Sequence, residues 1–297
     1  MRPGRATDLP ALVELWGKEV RAGRRDNVPS EVELQGLLAH LDWEARCRLV
    51  EDSAGLAGAV LVTSRDTLDG TVARIDPTVN GEESAQVMQS LLSWSLQLSR
   101  AAGAVAAQVW VGPGQANVLR TAGLEMVRPW WRMDRPMTDL PPAPTPVAGY
   151  DLIDGTGITR GSWADMHNRS FADHWSFAPL SEEELMRGKS PELSLMAVAT
   201  ATGEPAALTL CQIETYDQDS RPQPVGLVSS VGTLPEHRRR GLATWLVAEG
   251  LRRLGLAGVR HASLYVDGRS HTRAFDAYRK LGFQLAFEIE VWEARFP

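Results

Sequence analysis

The stretch RPMTDLPPAPTPVAGYD, from Arg135 to Asp151, contains five prolines, Pro136, Pro141, Pro142, Pro144 and Pro146, and closes on Ala-Gly. Proline fixes φ and removes a backbone donor, so neither a helix nor a central strand can run through such a segment. It reads as an extended, semi-rigid linker. It falls near the middle of a chain of 297 residues, and each flank has the length of an ordinary domain. The expected organisation is a first domain over residues 1–135, a linker over 136–149 and a second domain over 150–297.

The two flanks are related. IDPTVNGEESAQVMQSLLSWSL, from Ile75, aligns with TLPEHRRRGLATWLVAEGLRRL, from Thr233, when Pro77 is set on Pro235. Each has a polar loop followed by an amphipathic helix. VWVGPGQANVLRTAGLEMV, from Val109, then parallels LYVDGRSHTRAFDAYRKLGFQ, from Leu264, with a strand, a turn and a helix in each. Such self-similarity implies two copies of one α/β unit. Within the second flank, two strands joined at Thr202–Pro205 precede a third, PVGLVSSVGTL. Apolar residues then recur at helical spacing from Leu242 to Leu254. HASLYV is a strand, Thr272 to Leu281 a helix and FQLAFEIEVWEARF a closing strand. The fold class expected is α/β (α+β), two tandem domains, each a mixed, mostly antiparallel sheet flanked by helices.

The formal net charge is −6, which argues against a general coat for polyanions but leaves room for a local basic site. That site is LPEHRRRGLATWL, Leu234 to Leu246. Nucleic-acid surfaces spread their charge along a face and interleave aromatics; here it is confined to one strand-to-helix turn. The first amides of a helix are unpaired and its dipole is positive there. Gly241 lets a ligand approach the backbone and Ala243 is small, so the turn suits a phosphate or pyrophosphate. Cys47 and Cys211 are the two cysteines, without metal or redox spacing, and read as buried thiols. No metal-ligand spacing occurs. No apolar run reaches the length of a membrane span, and a cytoplasmic location is expected.

Arg238, Gly241 and Ala243 form an R-x-x-G-x-A pattern after a strand. Downstream, Ala274, Tyr278, Gly282 and Phe283 form A-x-x-x-Y-x-x-x-G-F. In this order the two elements are similar to the acyl-CoA signature of the GNAT family of N-acetyltransferases, and the whole chain resembles its tandem, two-domain members. The resemblance implies acetyl-CoA as acyl donor, held at Arg238, Arg239, Arg240, Gly241, Leu242, Ala243 and Thr244. Val231, Gly232 and Thr233 would offer backbone groups to the pantetheine arm and thioester. It implies Tyr278 as general acid to the thiolate. Ser270 stands where the family usually has asparagine; the resemblance places it among the cofactor contacts, and serine can also cap the following helix. The first copy has Asn80, Glu83 and Ala85 at the aligned positions, with Glu82 beside them, and Leu119 near the tyrosine position. Carboxylates repel phosphate, so the first copy is expected to have a structural role.

The family chemistry moves an acetyl group to a primary amine, on a small molecule or a peptide. A CoA-binding sensor and a nucleic-acid-binding protein are the alternatives from other classes. Strand GLVSSVGT has no carboxylate to act as base; Ser229 and Ser230 could position a water, and Glu214 and Asp217 end the strand before it. HNRSFADHWSFAPLSEEEL, from His167 to Leu185, falls where the family walls its acceptor site. His174, Trp175 and Glu214 are the candidate substrate contacts, Phe171 and Phe177 equally loop anchors, and S-x-E-E at Ser181 an N-cap signature.

Overall fold

A computed structural model describes residues 1–53, 55–81, 84–157, 162–216, 218–270 and 272–297, and of residues 31–33 and 37 only the backbone. Glu82, Glu83 and Asp217 lie outside the described residues. The chain forms two compact units. The first comprises Met1–Trp130, Tyr216–Ser220 and Phe287–Pro297, and the second Trp131–Thr215 and Arg221–Ala286.

The first unit opens with β1 (Arg2–Pro3), α1 (Leu9–Arg21), α2 (Glu31–Leu38) and α3 (Trp43–Arg46). Then follow β2 (Cys47–Asp52), β3 (Gly55–Thr67), β4 (Gly70–Val79), α4 (Ala85–Ala101), β5 (Ala106–Val111), α5 (Ala116–Thr121) and the start of β6 (Glu125–Pro136). Neighbouring strands run β1-β2-β3-β4-β5, antiparallel except for β4 on β5, which are parallel over Val72–Ile75 and Ala106–Val109. Successive side chains of a strand face opposite ways. Ala73, Ile75, Val109 and Val111 meet Met88, Leu91 and Leu92 of α4 on one face, while Leu49, Ala59 and Leu61 meet Leu12, Leu15 and Trp16 of α1 on the other.

The second unit takes the rest of β6, β7 (Tyr150–Asp154), α6 (Ser162–Phe171), α7 (Glu182–Met186), β8 (Leu195–Ala199), β9 (Pro205–Glu214), β10 (Val225–Thr233), α8 (Leu242–Leu256), β11 (His261–Asp267), α9 (Ala274–Lys280) and the start of β12 (Gln284–Arg295). Its strand order is β6-β11-β10-β9-β8-β7. Cys211 and Val228 pack with Val247, Leu251 and Leu254 of α8 on one face. Leu208 and Leu210 pack with Trp163 and Met166 of α6 on the other. Both cysteines are free and buried, and burial pushes each thiol up to about 12.

Ser181 caps α7 in a reciprocal capping box with Glu184, as its sequence signature implies. The helix expected from Thr272 begins instead at Ala274, and its N-cap is Arg273 in a left-handed conformation. Ser270 therefore does not cap it; its hydroxyl lies 2.8 Å from that of Thr272. The units also depart from a linear division at the linker. Glu290–Arg295 of β12 pairs antiparallel with Val111–Ala106 of β5, and Trp292 is fully buried in the α4 core. A buried tryptophan side chain anchors that final strand to the first unit.

Candidate active site

In the second unit, β10 and β11 pair in parallel only from Val225–His261 to Val228–Leu264. β10 continues to Thr233 and β11 to Asp267 without further pairing to each other. At the same point the ladder between β10 and β9 shifts by one residue, with Ser229 as the extra residue. Such a bulge bends its strand and increases the local twist. The two parallel strands consequently splay into a wedge whose apex is at Val228 and Leu264. Ser229 Oγ donates to the Leu210 carbonyl at 3.1 Å, which fixes the bulge and leaves the β10 edge from Val231 onward facing the wedge.

Thr233 leads into a single 3-10 turn at Pro235–His237, then Arg238, Arg239 at φ +65° and Gly241 at φ +87°. Gly241 is the N-cap of α8 and no side chain caps the helix. A Cβ built on Gly241 would meet nothing within 4 Å. The amides of Leu242, Ala243 and Thr244 thus open the first turn of a fifteen-residue helix, with Gly241, Arg239 and Arg240 exposed beside them. These features fit a pyrophosphate: oriented N–H groups, a positive helix end, open space at the glycine and two exposed cations, of which Arg240 donates to the Glu236 carbonyl at 3.3 Å.

Arg238 is not one of those cations. Its guanidinium forms a bidentate pair with Asp173 at 2.6 and 2.9 Å and also donates to the carbonyls of Thr233 and Ser170. Its side chain ties the loop to the end of α6, leaving Arg239 and Arg240 to face a ligand. Gly232 is also explained by packing: a Cβ there would lie 2.2 Å from Ser170 Oγ, so its smallness lets α6 sit on β10. The Thr233 carbonyl is taken by Arg238, which leaves Val231 as the described strand residue with the clearest access to the wedge.

Tyr278 of α9 lies in the buried cluster with Val228, Leu264, Val266 and Phe283, against which Val231 packs. That cluster surrounds the apex. Burial pushes the Tyr278 phenol well above its ordinary value, so it stays protonated through the neutral range.

The three candidate substrate contacts are not brought together. His174 and Trp175 follow Asp173, which Arg238 holds at the level of Thr233, and His174 sits edge-on to Phe171 at 4.7 Å. Phe171 also stacks on His167 at 4.6 Å, so it anchors the loop. Glu214 pairs with Val225 at the other end of β10 and accepts a hydrogen bond from Gln212. Eight positions separate Val225 from Thr233, or about 26 Å at ~3.3 Å per residue. One small acceptor cannot touch both ends.

A polar network invisible in the local sequence occupies the α6 face of the sheet just below the apex. Ser263 is the ladder partner of Leu227, and His261 that of Val225. Ser263 Oγ donates to Asp134 Oδ1 at 2.7 Å and accepts from Arg221 at 3.0 Å. Arg132 and His261 approach Asp134 Oδ2 at 3.1 and 3.4 Å. Burial alone would raise the Asp134 carboxyl, but the contact with His261, the Arg132 charge, Ser263 and the Arg221 charge hold it below the ordinary carboxylate range. Stability from a carboxyl depressed in the folded state is present above its unfolded value, about 3.9, and is lost as pH falls through the lower folded value. Asp134→Asn is therefore expected to lower the urea midpoint at pH 7, with the gap to the parent chain narrowing below about pH 4. A gap independent of pH would remove Asp134 from the network.

In the first unit β4 and β5 also part after Ile75 and Val109, but the gap between them is blocked. The β3–β4 ladder runs from Thr67–Gly70 to Gly58–Val79 without a register shift. Arg25 grips Asp76, one residue past Ile75, with two hydrogen bonds of 2.9 Å, and a Cβ on Gly112, just past β5, would lie 2.1 Å from the Arg24 carbonyl. The chain at Arg24–Arg25 thus lies across the gap between β4 and β5. Ten residues separate Ile75 from the start of α4, whereas fourteen separate Val228 from the start of α8, so the phosphate turn is also shorter in the first copy.

Residues 161–283 match the family model described as the Acetyltransferase (GNAT) family. A mycothiol acetyltransferase of Catenulispora acidiphila is 28% identical over 80% of this chain and 76% of its own length. One from Thermobispora bispora is 30% identical over 58% of this chain and 59% of its own length. Among solved structures, a GCN5-related N-acetyltransferase from Sphaerobacter thermophilus superposes with TM-score 0.79 at 22% identity, covering 99% of this chain and 94% of that one. A tandem GNAT protein from the clavulanic acid biosynthesis pathway superposes with TM-score 0.70 at 17% identity, covering 100% and 98%. These two likenesses establish the tandem fold.

Proposed function

The chain is a GNAT-type acetyltransferase, and from that premise we propose that its second unit transfers an acetyl group from acetyl-CoA to a primary amine. The observation that carries the proposal is the wedge between β10 and β11, with Tyr278 at its apex and the uncapped α8 turn at its open end. Acetyl-CoA, when bound, supplies the acyl group as a thioester that an amine attacks directly. The amides of Leu242, Ala243 and Thr244, with Arg239 and Arg240, would hold its pyrophosphate. Val231 would offer its backbone to the pantetheine arm. A backbone N–H on the freed β10 edge would stabilise negative charge developing on the carbonyl oxygen. Tyr278 would give its proton to the departing thiolate, a role suited to a phenol kept neutral by burial.

The acceptor amine must lose a proton. Leu227 carries no carboxylate and Asp134 is held below the ordinary carboxylate range by its partners, so the amine would give its proton to water while the Asp134–Ser263–His261 network on the α6 face fixes its position. We assign acceptor binding to that face, and the relatives' name makes the amine precursor of mycothiol the first acceptor to test. His174 and Trp175, beside the loop that Arg238 ties down, wall the donor end instead. CoA release measured over a panel of amines, with and without the mycothiol precursor, tests the reading. Amine-dependent release is expected. CoA binding with no release for any amine would replace transfer by sensing.

A further inference from the structure

The sheet face of the first unit that packs on α1 carries a second feature, separate from acyl transfer. Arg74 of β4 is the ladder partner of Thr63 on β3 and of Gln108 on β5. Alternation along each strand then puts Arg65, two residues beyond Thr63, and Trp110, two beyond Gln108, on the same face. These three side chains form a diagonal row across β3, β4 and β5. The Arg74 guanidinium lies over the Trp110 ring at 4.5 Å, and Trp130 meets Trp110 edge-on with centroids 5.1 Å apart.

Every member of the row is a donor. Arg74 Nε and Trp110 Nε1 are buried and reach no acceptor among the described residues. Arg74 also makes no ion pair among the described residues. The nearest carboxylate on its strand, Asp76, is engaged by Arg25 through both oxygens. Glu293, which faces Gln108 across the β5–β12 ladder, accepts from Gln108 and from Arg295. Burial and the neighbouring Arg65 charge push the Arg74 guanidinium down to about 10, so the group remains a cation at neutral pH. Buried charges in folded proteins are paired or neutralised, and the Arg74 guanidinium beside an indole N–H matches an oxyanion with several acceptor lone pairs.

We propose that Arg74 and Trp110 form a binding site for a small oxyanion, a carboxylate or a phosphate group, on the first unit. The second copy has Leu227 at the equivalent strand position, one residue before the end of the parallel ladder. The oxyanion site is thus a property of the first copy alone, which gives that copy a ligand role although its wedge is blocked.

Thermal melting of the full chain in inorganic phosphate, and separately in malonate, against chloride of equal ionic strength tests the site. The Gly241→Glu chain is melted in parallel, so that anion binding at the α8 turn is set aside. A saturable rise in Tm in both chains is expected, with the larger rise in phosphate assigning a phosphate ester and the larger rise in malonate a carboxylate. Arg74→Met is expected to lose the rise. Arg74→Lys, which keeps the charge and loses the fork, retains a smaller one and serves if the methionine variant fails to fold. A rise of equal size in the Arg74 variants, or no rise with either anion in the parent chain, overturns the proposal.

Discussion

Replacing Tyr278 with phenylalanine lowers kcat by about 10²- to 10⁴-fold, the usual worth of a positioned general acid, and leaves acetyl-CoA affinity nearly unchanged. The ring is buried among Val228, Leu264, Val266 and Phe283, and phenylalanine fills the same volume, so the core keeps its packing. The hydroxyl has no hydrogen-bond partner among the described residues, so its loss strands no polar group and Tm is expected to stay level or rise slightly. A structural role for the hydroxyl would instead move Tm and leave kcat alone. The pH profile adds a second readout. Burial raises the Tyr278 phenol above its ordinary value, so the protonated form that catalysis needs persists above pH 10, the reference value for tyrosine, ~10. The parent enzyme should show no alkaline decline in kcat attributable to this group below about pH 10. A kcat for Tyr278→Phe within about threefold of the parent, far short of the loss expected of an acid, would remove the residue from the chemistry.

The parts of the site that were legible in the sequence are the ones built from local backbone preferences. Gly241 takes a left-handed φ of +87° and α8 begins at Leu242, because a glycine before an apolar-periodic run is a local signal. The equivalence of Val109 and Leu264 also holds in the ladders, where they are the last parallel partners of Ile75 and Val228. Setting Pro77 on Pro235 matched the helix starts to within one residue, yet misplaced the strands, since the second copy carries four more residues between ladder and helix. Loop length is free to vary where helix and strand patterns are not.

The parts that were not legible depend on pairing between distant segments. Arg238 meets Asp173 from 65 residues away, and Ser263 meets Asp134 from 129. Nothing in RRRGLA marks the first arginine as structural and the other two as exposed; only the fold assigns them. The same holds for Trp292, which reads as part of the second domain and is buried in the first unit's core. Which sheet receives a closing strand is a topological matter that periodicity does not encode.

Substituting glutamate for Gly241 is expected to weaken CoA binding by about 100-fold or more. Two effects separate when alanine is tested at the same position. Gly241 sits at φ +87°, and any side chain there costs roughly 1–2 kcal/mol of backbone strain. A Cβ meets no atom within 4 Å, so neither variant adds a clash, and both should lose similar stability. Only glutamate adds a negative charge at the mouth of the helix. Against a pyrophosphate about 4 Å away, each pair of like charges costs from about 1 kcal/mol in water to about 4 kcal/mol near a protein surface, and every 1.4 kcal/mol is about tenfold in affinity. Alanine should therefore weaken binding only several-fold, by strain at the cradle, while glutamate loses it almost entirely. Because the repulsion is exposed, added salt should recover part of the loss in the glutamate variant and none in the alanine one. Isothermal titration of CoA into the three chains at low and high salt reads all of these terms. Equal affinities for the alanine and glutamate variants would place the pyrophosphate somewhere other than the start of α8.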